Sequence, residues 1–404
     1  MDNNGHGALG DRLRARRREA ALTQEELAHL SGVSQVMIAK TEQGQRQPRL
    51  PVITRLAAAL DLPLSELLDN RPRLDGRSSG ASILAIRDAL LSPSQLPGID
   101  LAGSDAEPAT LPQLRSALAE AGRLYWAGDF AALAALLPRL IGEGRHAAQS
   151  AGAPASSLLA QAYDLAAALL VHMGKEDLAA LAAERAVTAA ATSADEILHA
   201  VLQGTYAWVL LHQGRLAESE KLAATVADRI RPPSAAPAEH VAAYGHLLML
   251  ALGPAAAAGR DVSQYIATAS AAAEQIGRRV SIYQTSFAPA TVHMQACYAY
   301  AVTGQPAKAL TAARKIHPGD LTGISYGRHL LDVAQAHVDA RQHAAATTAL
   351  SRARALSPVW FRHQGIARSL VAELTEQQRR LSPALRELAA SVDPNWYAPY
   401  YRRR

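Results

Sequence analysis

"LTQEELAHLSGVSQVMIAKTEQG", Leu22 to Gly44, decides the fold of the N-terminal part of this chain. Thr23 followed three residues later by Glu26 is a capping box, so a helix starts at Gln24. Gly32 comes just after Leu30 and Ser31, where the chain must turn sharply and glycine tolerates a positive φ. Ser34 then caps a second helix over about Gln35 to Gln43, and Gly44 sits where a C′ glycine ends it. Working outward, the pattern predicts a preceding helix over about Leu9 to Ala20. A following helix fits "PVITRLAAAL", with Pro51 in its first turn, and "LPLSELL" gives a short fifth. Leu13, Leu22, Leu27, Leu30, Val33, Ile38, Ile53, Leu56, Leu60 and Leu67 then form a single core.

The whole chain has 404 residues, enough for two or more units. Hydrophobic residues make up 49% and aromatics only 5%, and much of the apolar share is alanine, which suits closely packed helices. Cys297 is the single cysteine, so there is no internal disulfide framework and a reducing compartment fits. The N-terminus is polar, then basic, without the apolar core of a secretory signal. No run of about 18 apolar residues occurs. A cytoplasmic protein without membrane contact is expected. The net charge of +5 permits nucleic-acid binding without requiring it. The basic run "RLRARRR", Arg12 to Arg18, reads either as a phosphate-binding strip or, more simply, as a solvated helix face.

Residues 70 to 110 are rich in Pro, Gly, Ser and Asp and read as a linker interrupted by one short helix, "ILAIRDALL". From 111 onward a phrase recurs: "WAGDFAAL", "HMGKEDLAAL", "HQGRLAESEKLA", "VTGQPAKALTAA", "DARQHAAATTAL". Each is a helix end, a tight turn, then an alanine-rich helix. The turn residues Gly128, Gly174, Gly214, Gly304 and Arg341 are 46, 40, 90 and 37 residues apart. Five places after each comes Leu133, Ala179, Ser219, Ala309 or Ala346, a small or apolar residue that lets paired helices approach closely. The interval of 90 leaves room for one degenerate pair near residues 252–277. This is a helix-hairpin repeat of about 40 residues, the signature of an α-solenoid with a groove lined by the first helix of each pair. The expected fold class is all-α: a five-helix domain built round a helix–turn–helix (1–70), a linker with one short helix (71–110), an α-solenoid of helical hairpins (111–392) and an aromatic-basic tail (393–404).

On "LTQEELAHLSGVS", "QVMIAKTEQG" and "ITRLAAALDLPLSELL", the segment Leu9–Leu68 resembles the Cro-repressor or XRE family of helix-turn-helix domains. The resemblance implies that residues 35–43 are the recognition helix and that double-stranded DNA is the partner. Gln24 falls where that family contacts a phosphate and buttresses a base-reading side chain. Ser34, Gln35, Val36 and Lys40 fall on the outward face. There Gln35 would pair with adenine, Lys40 with guanine, Val36 with a thymine methyl and Ser34 with a phosphate. Gln43 and Arg46 match backbone-contacting positions. Arg17 and Glu42 match a pair that ties helix one to helix three, a structural role, and Met37 is assigned to the core. One such domain buries little DNA, so a homodimer on a two-fold operator with half-sites about 34 Å apart is expected.

The repeat region, on "FAPATVHMQACYAYAVTGQPAKAL" and "YGRHLLDVAQAHVDARQHAAATTAL", resembles tetratricopeptide sensor regions joined to XRE domains in actinobacterial-type regulators. About five to seven pairs fit. Such repeats bind a peptide or small-molecule effector, or a partner protein, or dimerise. Candidate groove residues, placed on first helices, are Tyr206, Trp208, Phe287, His293, Tyr326 and Arg328, with Tyr163, His212, Tyr244 and Tyr298 beside them; packing between repeats is the plainer role for each. Nothing points to catalysis: there is no HExxH, GxSxG, P-loop or GxGxxG. The histidines lack metal-ligand spacing, and no cofactor is implied. The expected protein is a DNA-binding transcriptional regulator whose repeats sense an effector. The alternatives are repeats that serve only dimerisation or RNA-polymerase contact, or a protein–protein adaptor.

Overall fold

The computed structural model describes residues 6–46, 48, 50–62, 67, 77–93, 109–378 and 380–392. Among the described residues the fold is all-α but for one short β-hairpin. It divides into two compact units: residues 1–70, 256–260 and 293–404, and residues 71–255 and 261–292.

The N-terminal helices are α1 (His6–Glu19), α2 (Gln24–Ser31), α3 (Gln35–Glu42) and α4 (Leu50–Ala59). The capping box forms as the sequence predicts: Thr23 Oγ1 accepts from the Glu26 amide at 3.1 Å, and the Thr23 amide donates to Glu26 Oε2 at 2.7 Å. Gly32 takes the left-handed conformation at φ 63°, and Gly44 follows α3 at φ 69°. The core joins Leu13, Leu27, Val33, Ile38, Ile53, Leu56, Leu60 and Leu67, with Leu22 and Met37 packed at its edge. Leu30 does not join it. It is 58% exposed, because the tight turn at Gly32 ends α2 with that face pointing to solvent. A Cβ on Gly10 would overlap the Thr41 carbonyl oxygen, so glycine there lets α1 lie directly against the end of α3. The predicted fifth helix lies outside the described residues except for Leu67, which is helical and fully buried.

The helix expected inside the linker is α5 (Arg77–Leu90). It is longer than the sequence pattern suggests, and it is packed: Ile86 and Leu90 are fully buried, and it lies on α7 (Phe130–Ala151). The segments on either side of it, 71–76 and 94–108, lie outside the described residues.

Helical pairs follow. They are α6 (Leu111–Ala127) with α7, α8 (Ala153–His172) with α9 (Glu176–Ala191), and α10 (Glu196–His212) with α11 (Leu216–Arg229). Next come α12 (Ala238–Ala257) with α13 (Ser263–Ile276), α14 (Pro289–Val302) with α15 (Pro306–Ala313), and α16 (Gly323–Asp339) with α17 (His343–Leu356). Helices α18 (Pro358–Arg362), α19 (Gly365–Gln377) and α20 (Pro383–Val392) end the described chain; the tail from 393 lies outside it. The repeat spacing is realised at every turn. Gly128, Gly174, Gly214, Gly304 and also Arg341 have φ of 73°, 62°, 82°, 77° and 58°. The residues five beyond, Leu133, Ala179, Ser219, Ala309 and Ala346, are all at most 1% exposed. Ser219 is the polar member of this set, and its hydroxyl donates to the Ala207 carbonyl at 2.6 Å. Helices α8 and α12 are long and apolar enough to cross a membrane by length and composition. Their apolar windows are 83% and 78% buried, as in core helices.

In the unit of 71–255 and 261–292, the first helices α6, α8 and α10 pack side by side. Between α13 and α14 stands the hairpin that the sequence pattern does not predict: β1 (Val280–Ile282) pairs antiparallel with β2 (Thr285–Phe287), register Val280↔Phe287. Phe287 anchors it. The ring is fully buried, and a Cβ on Gly245 of α12 would overlap it. The hairpin reaches across the first helices. Tyr283 donates to Asp195 Oδ2 at 2.6 Å, Gln284 to Gln161 Oε1 at 3.3 Å, and Thr285 meets His246 Nδ1 at 3.3 Å.

Candidate functional site

Helix α3 is held from behind by a single carboxylate. Glu42, in its last turn, has a fully buried side chain and receives Arg17 bidentately, Nε at 2.7 Å and Nη2 at 3.0 Å. Gln24 Nε2 donates to the same carboxylate at 2.9 Å, and Arg14 stands 3.6 Å away. Arg17 also donates to the Leu22 carbonyl at 2.6 Å. Burial alone would raise the Glu42 pKa, but the bonds from Arg17 and Gln24 and the charges of Arg17 and Arg14 outweigh it and hold the carboxyl below its ordinary range. The group is thus ionised at neutral pH and locks α1, α2 and α3 into one arrangement. Arg17 and Glu42 take the structural role that the sequence implied.

The basic run is partly consumed in the same way. Arg12 donates to the Leu67 carbonyl at 2.8 Å, and Arg16 pairs with Glu19 at 2.8 Å. Arg17 is committed to Glu42, whereas Arg14 and Arg16 keep 43% and 40% of their side-chain surface in solvent beside their carboxylate partners, and Arg18 is exposed.

The opposite face of α3 is different. Ser34, Gln35, Val36 and Lys40 are exposed, Val36 at 63%, and Gln43 and Arg46 follow them, also exposed. Ser34 spends its oxygen as the cap, accepting from the Met37 amide at 3.3 Å. The side chains of Gln35, Lys40, Gln43 and Arg46 make no hydrogen bond or ion pair with any described residue. The helix therefore presents amide and ammonium groups, an apolar methyl surface and a guanidinium on one rigid ridge. Those are the groups that read base edges and hold phosphates in a major groove. Gln24 is only half-exposed and its amide is turned inward to Glu42, so it braces the ridge in this conformation.

The repeat-region candidates fall into two sets, one in each unit. Trp208 and His212 are half-buried neighbours on α10, edge-on at 4.6 Å between ring centres, with His212 Nδ1–H donating to the Trp208 carbonyl at 2.9 Å. Tyr206 is also half-buried there. Tyr163 is buried and accepts from Arg145 Nε at 3.0 Å, and Tyr244 is buried. Phe287 belongs to β2, not to a first helix, and is sealed in the core; the glycine opposite makes the space that the aromatic fills. In the other unit Arg328 lies over the Tyr298 ring at 5.4 Å and pairs with Asp332 at 3.2 Å, so its charge is already compensated. Tyr326 lies under Arg352 at 5.7 Å. His293 is half-buried, and burial, then Lys315, lowers its pKa.

Sequence reasoning passed over Asp164, Tyr125 and His172, which lie on the first helices beside Trp208. The Tyr125 hydroxyl meets His172 Nε2 at 3.4 Å, and the His172 ring is 5.9 Å from the Trp208 ring. A signal was present: Asp164 is the only acidic residue in the twenty of "APASSLLAQAYDLAAALLVH".

A family model described as a helix-turn-helix domain matches residues 8–69. An uncharacterised HTH-type transcriptional regulator of Haemophilus influenzae is 39% identical over 64 residues. That stretch is 16% of this chain and 65% of the relative's length. Two solved structures are similar at 12% identity. They are Bacillus thuringiensis PlcR in complex with the peptide PapR7 and DNA, and the apo form of the competence regulator ComR from Streptococcus vestibularis. The first is covered over 67% of this chain and 95% of its own, with a TM-score of 0.27. The second is covered over 84% and 98%, with a TM-score of 0.29. Superpositions that loose carry no weight here, whereas the match over 8–69 coincides with the capped α2–turn–α3 geometry described above. Residues 8–69 of this chain are a helix-turn-helix domain.

Proposed function

We propose that this protein is a sequence-specific DNA-binding transcriptional regulator acting in the cytoplasm. Helix α3 enters the major groove. Gln35 and Lys40 read base edges, Val36 touches a thymine methyl, and Gln43, Arg46 and Ser34 face the backbone. The protein binds a two-fold operator as a homodimer, because one such domain offers too little surface for tight binding alone. The helical-hairpin region takes a peptide or small-molecule effector, or a partner protein, and changes operator affinity through a conformational preference.

The observation that carries this reading is the contrast between the two faces of α3. Its rear is fixed by a buried, fully paired Glu42, while its front holds uncommitted polar side chains. The test is binding of the full chain to fragments upstream of its own and adjacent genes, wild type against Gln35→Ala/Lys40→Ala, across several salt concentrations. A footprinted site that the variant loses, with weak salt-sensitive binding left over, is the expected result. Equal binding of every fragment by both proteins would remove specific readout and leave an adaptor.

A further inference from the structure

Asp164 sits in the middle of α8, 8% exposed, and its Oδ1 has no hydrogen-bond partner. It forms no ion pair with any described residue. The arginine reaching α8 from α7, Arg145, is already engaged by Tyr163 and by the Ala89 carbonyl. The Thr205 hydroxyl on α10 hydrogen-bonds the carboxylate and favours its charged form, and the Tyr125 phenol on α6 lies close enough to feel that charge. Burial pushes the Asp164 carboxyl up to about 6, so it still carries charge at neutral pH without a countercharge. A buried carboxylate with one oxygen unpartnered and no countercharge is costly, which makes it a candidate contact for a cation from outside the chain.

The surroundings are built for such a cation. Tyr125 is flanked by Trp126 at 5.0 Å, edge-on, and by His172. His172 and Trp208 are half-exposed, so an aromatic wall leads from solvent toward the carboxylate. Ring faces of this kind attract ammonium groups. At the other end stands the hairpin tip. Gln284 lies against Gly122 of α6 and donates to Gln161 of α8. Gly122 and Tyr125, and Gln161 and Asp164, are each three residues apart on one helix face, so the tip ends one helical turn short of the carboxylate.

We propose that Asp164 anchors a protonated amine carried on an aromatic or apolar body, held between the 280–287 hairpin tip and the His172–Trp208 pair. This rests on reading the helical-hairpin region as an effector-binding region, and it names the chemistry that region selects. A cleft of about 400 Å³ beside the hairpin, lined by Asp195, His240 and Tyr283 and not by Asp164, does not compete. There Tyr283 is bound to Asp195 and His240 to the Ile230 carbonyl.

Isothermal titration calorimetry of the full chain tests the proposal, with 2-phenylethylamine against 2-phenylethanol and a Phe-Ala amide dipeptide with free against acetylated N-terminus. Both amines, or either one, should bind saturably and at least about tenfold tighter than the neutral counterpart. Asp164→Asn should erase that preference. Preference for phenylethylamine alone identifies a small molecule, and preference for the dipeptide alone identifies a peptide N-terminus; each supports the site. Equal binding of amine and neutral probe, an undiminished preference in Asp164→Asn, or no binding of any probe overturns it. The amine-against-alcohol comparison uses only wild-type protein, so it stands even where the variant folds poorly. Operator affinity is measured in parallel. A bound amine that leaves it unchanged refutes the effector reading without touching the Asp164 pairing.

Discussion

Glu42 joins three helices at one carboxylate, so its loss is costly to the N-terminal domain. Glu42→Ala would leave Arg17 buried and unpaired, so a loss of about 3 kcal/mol or more is expected in urea unfolding of the domain. Its pH behaviour follows from the sign of its shift. The folded pKa lies below the unfolded value of about 4.3, so the stabilisation is fully present above that value and disappears as pH falls through the folded pKa. Acid titration should therefore find wild type losing its advantage over Glu42→Gln below about pH 4. Arg46 lies at the other extreme, exposed and without a hydrogen bond or ion pair to any described residue. Arg46→Ala should weaken binding to all DNA sequences alike and lower the salt slope by about one, whereas Gln35→Ala should relax sequence preference. Such different behaviour from two residues eleven apart would follow from Gln35 sitting at the start of α3 and Arg46 just beyond its end.

At the scale of elements, the turns are where sequence and structure agree best. Arg341 takes the left-handed conformation that glycine takes at the four equivalent turns, at φ 58°. A non-glycine residue pays strain there, so Arg341→Gly should raise stability by about 0.5–1 kcal/mol in thermal or denaturant unfolding. The turns and the small residues five beyond were legible because each rests on local geometry: one backbone conformation and one close helix contact. The capped α2–turn–α3 unit was legible for the same reason, in Thr23, Glu26, Gly32 and Ser34. What escaped depends on distant partners. "VSIYQTSF" is too short to declare a hairpin, and Phe287 reads as a groove aromatic until Gly245, forty-two residues earlier, supplies its pocket. Leu30 looks like core by periodicity, but the helix ends beside it. Asp164 stood out in an apolar helix, yet only the packing of α6 and α10 around it gives that isolation a meaning.

For the whole molecule, the homodimer proposal predicts a footprint of two half-sites about 34 Å centre to centre, or a multiple of the helical turn. Methylation-interference mapping on the operator checks this, and a single unpaired half-site would refute it. The hairpin carries a consequence of another kind, in the order in which the protein is made. Its contacts reach back 39 residues to His246, 88 to Asp195 and 123 to Gln161. Neighbouring helical pairs close short loops and form as soon as they are synthesised, but the hairpin closes long ones, whose entropy must be overcome first. On the ribosome, the first three pairs would therefore assemble with their first-helix face open, and that face would be covered only after residue 287 emerges. A chain that stalls before then would leave Gln161, Asp195 and His246 without their hairpin partners, so the hairpin is a late-arriving brace on helices that have already paired.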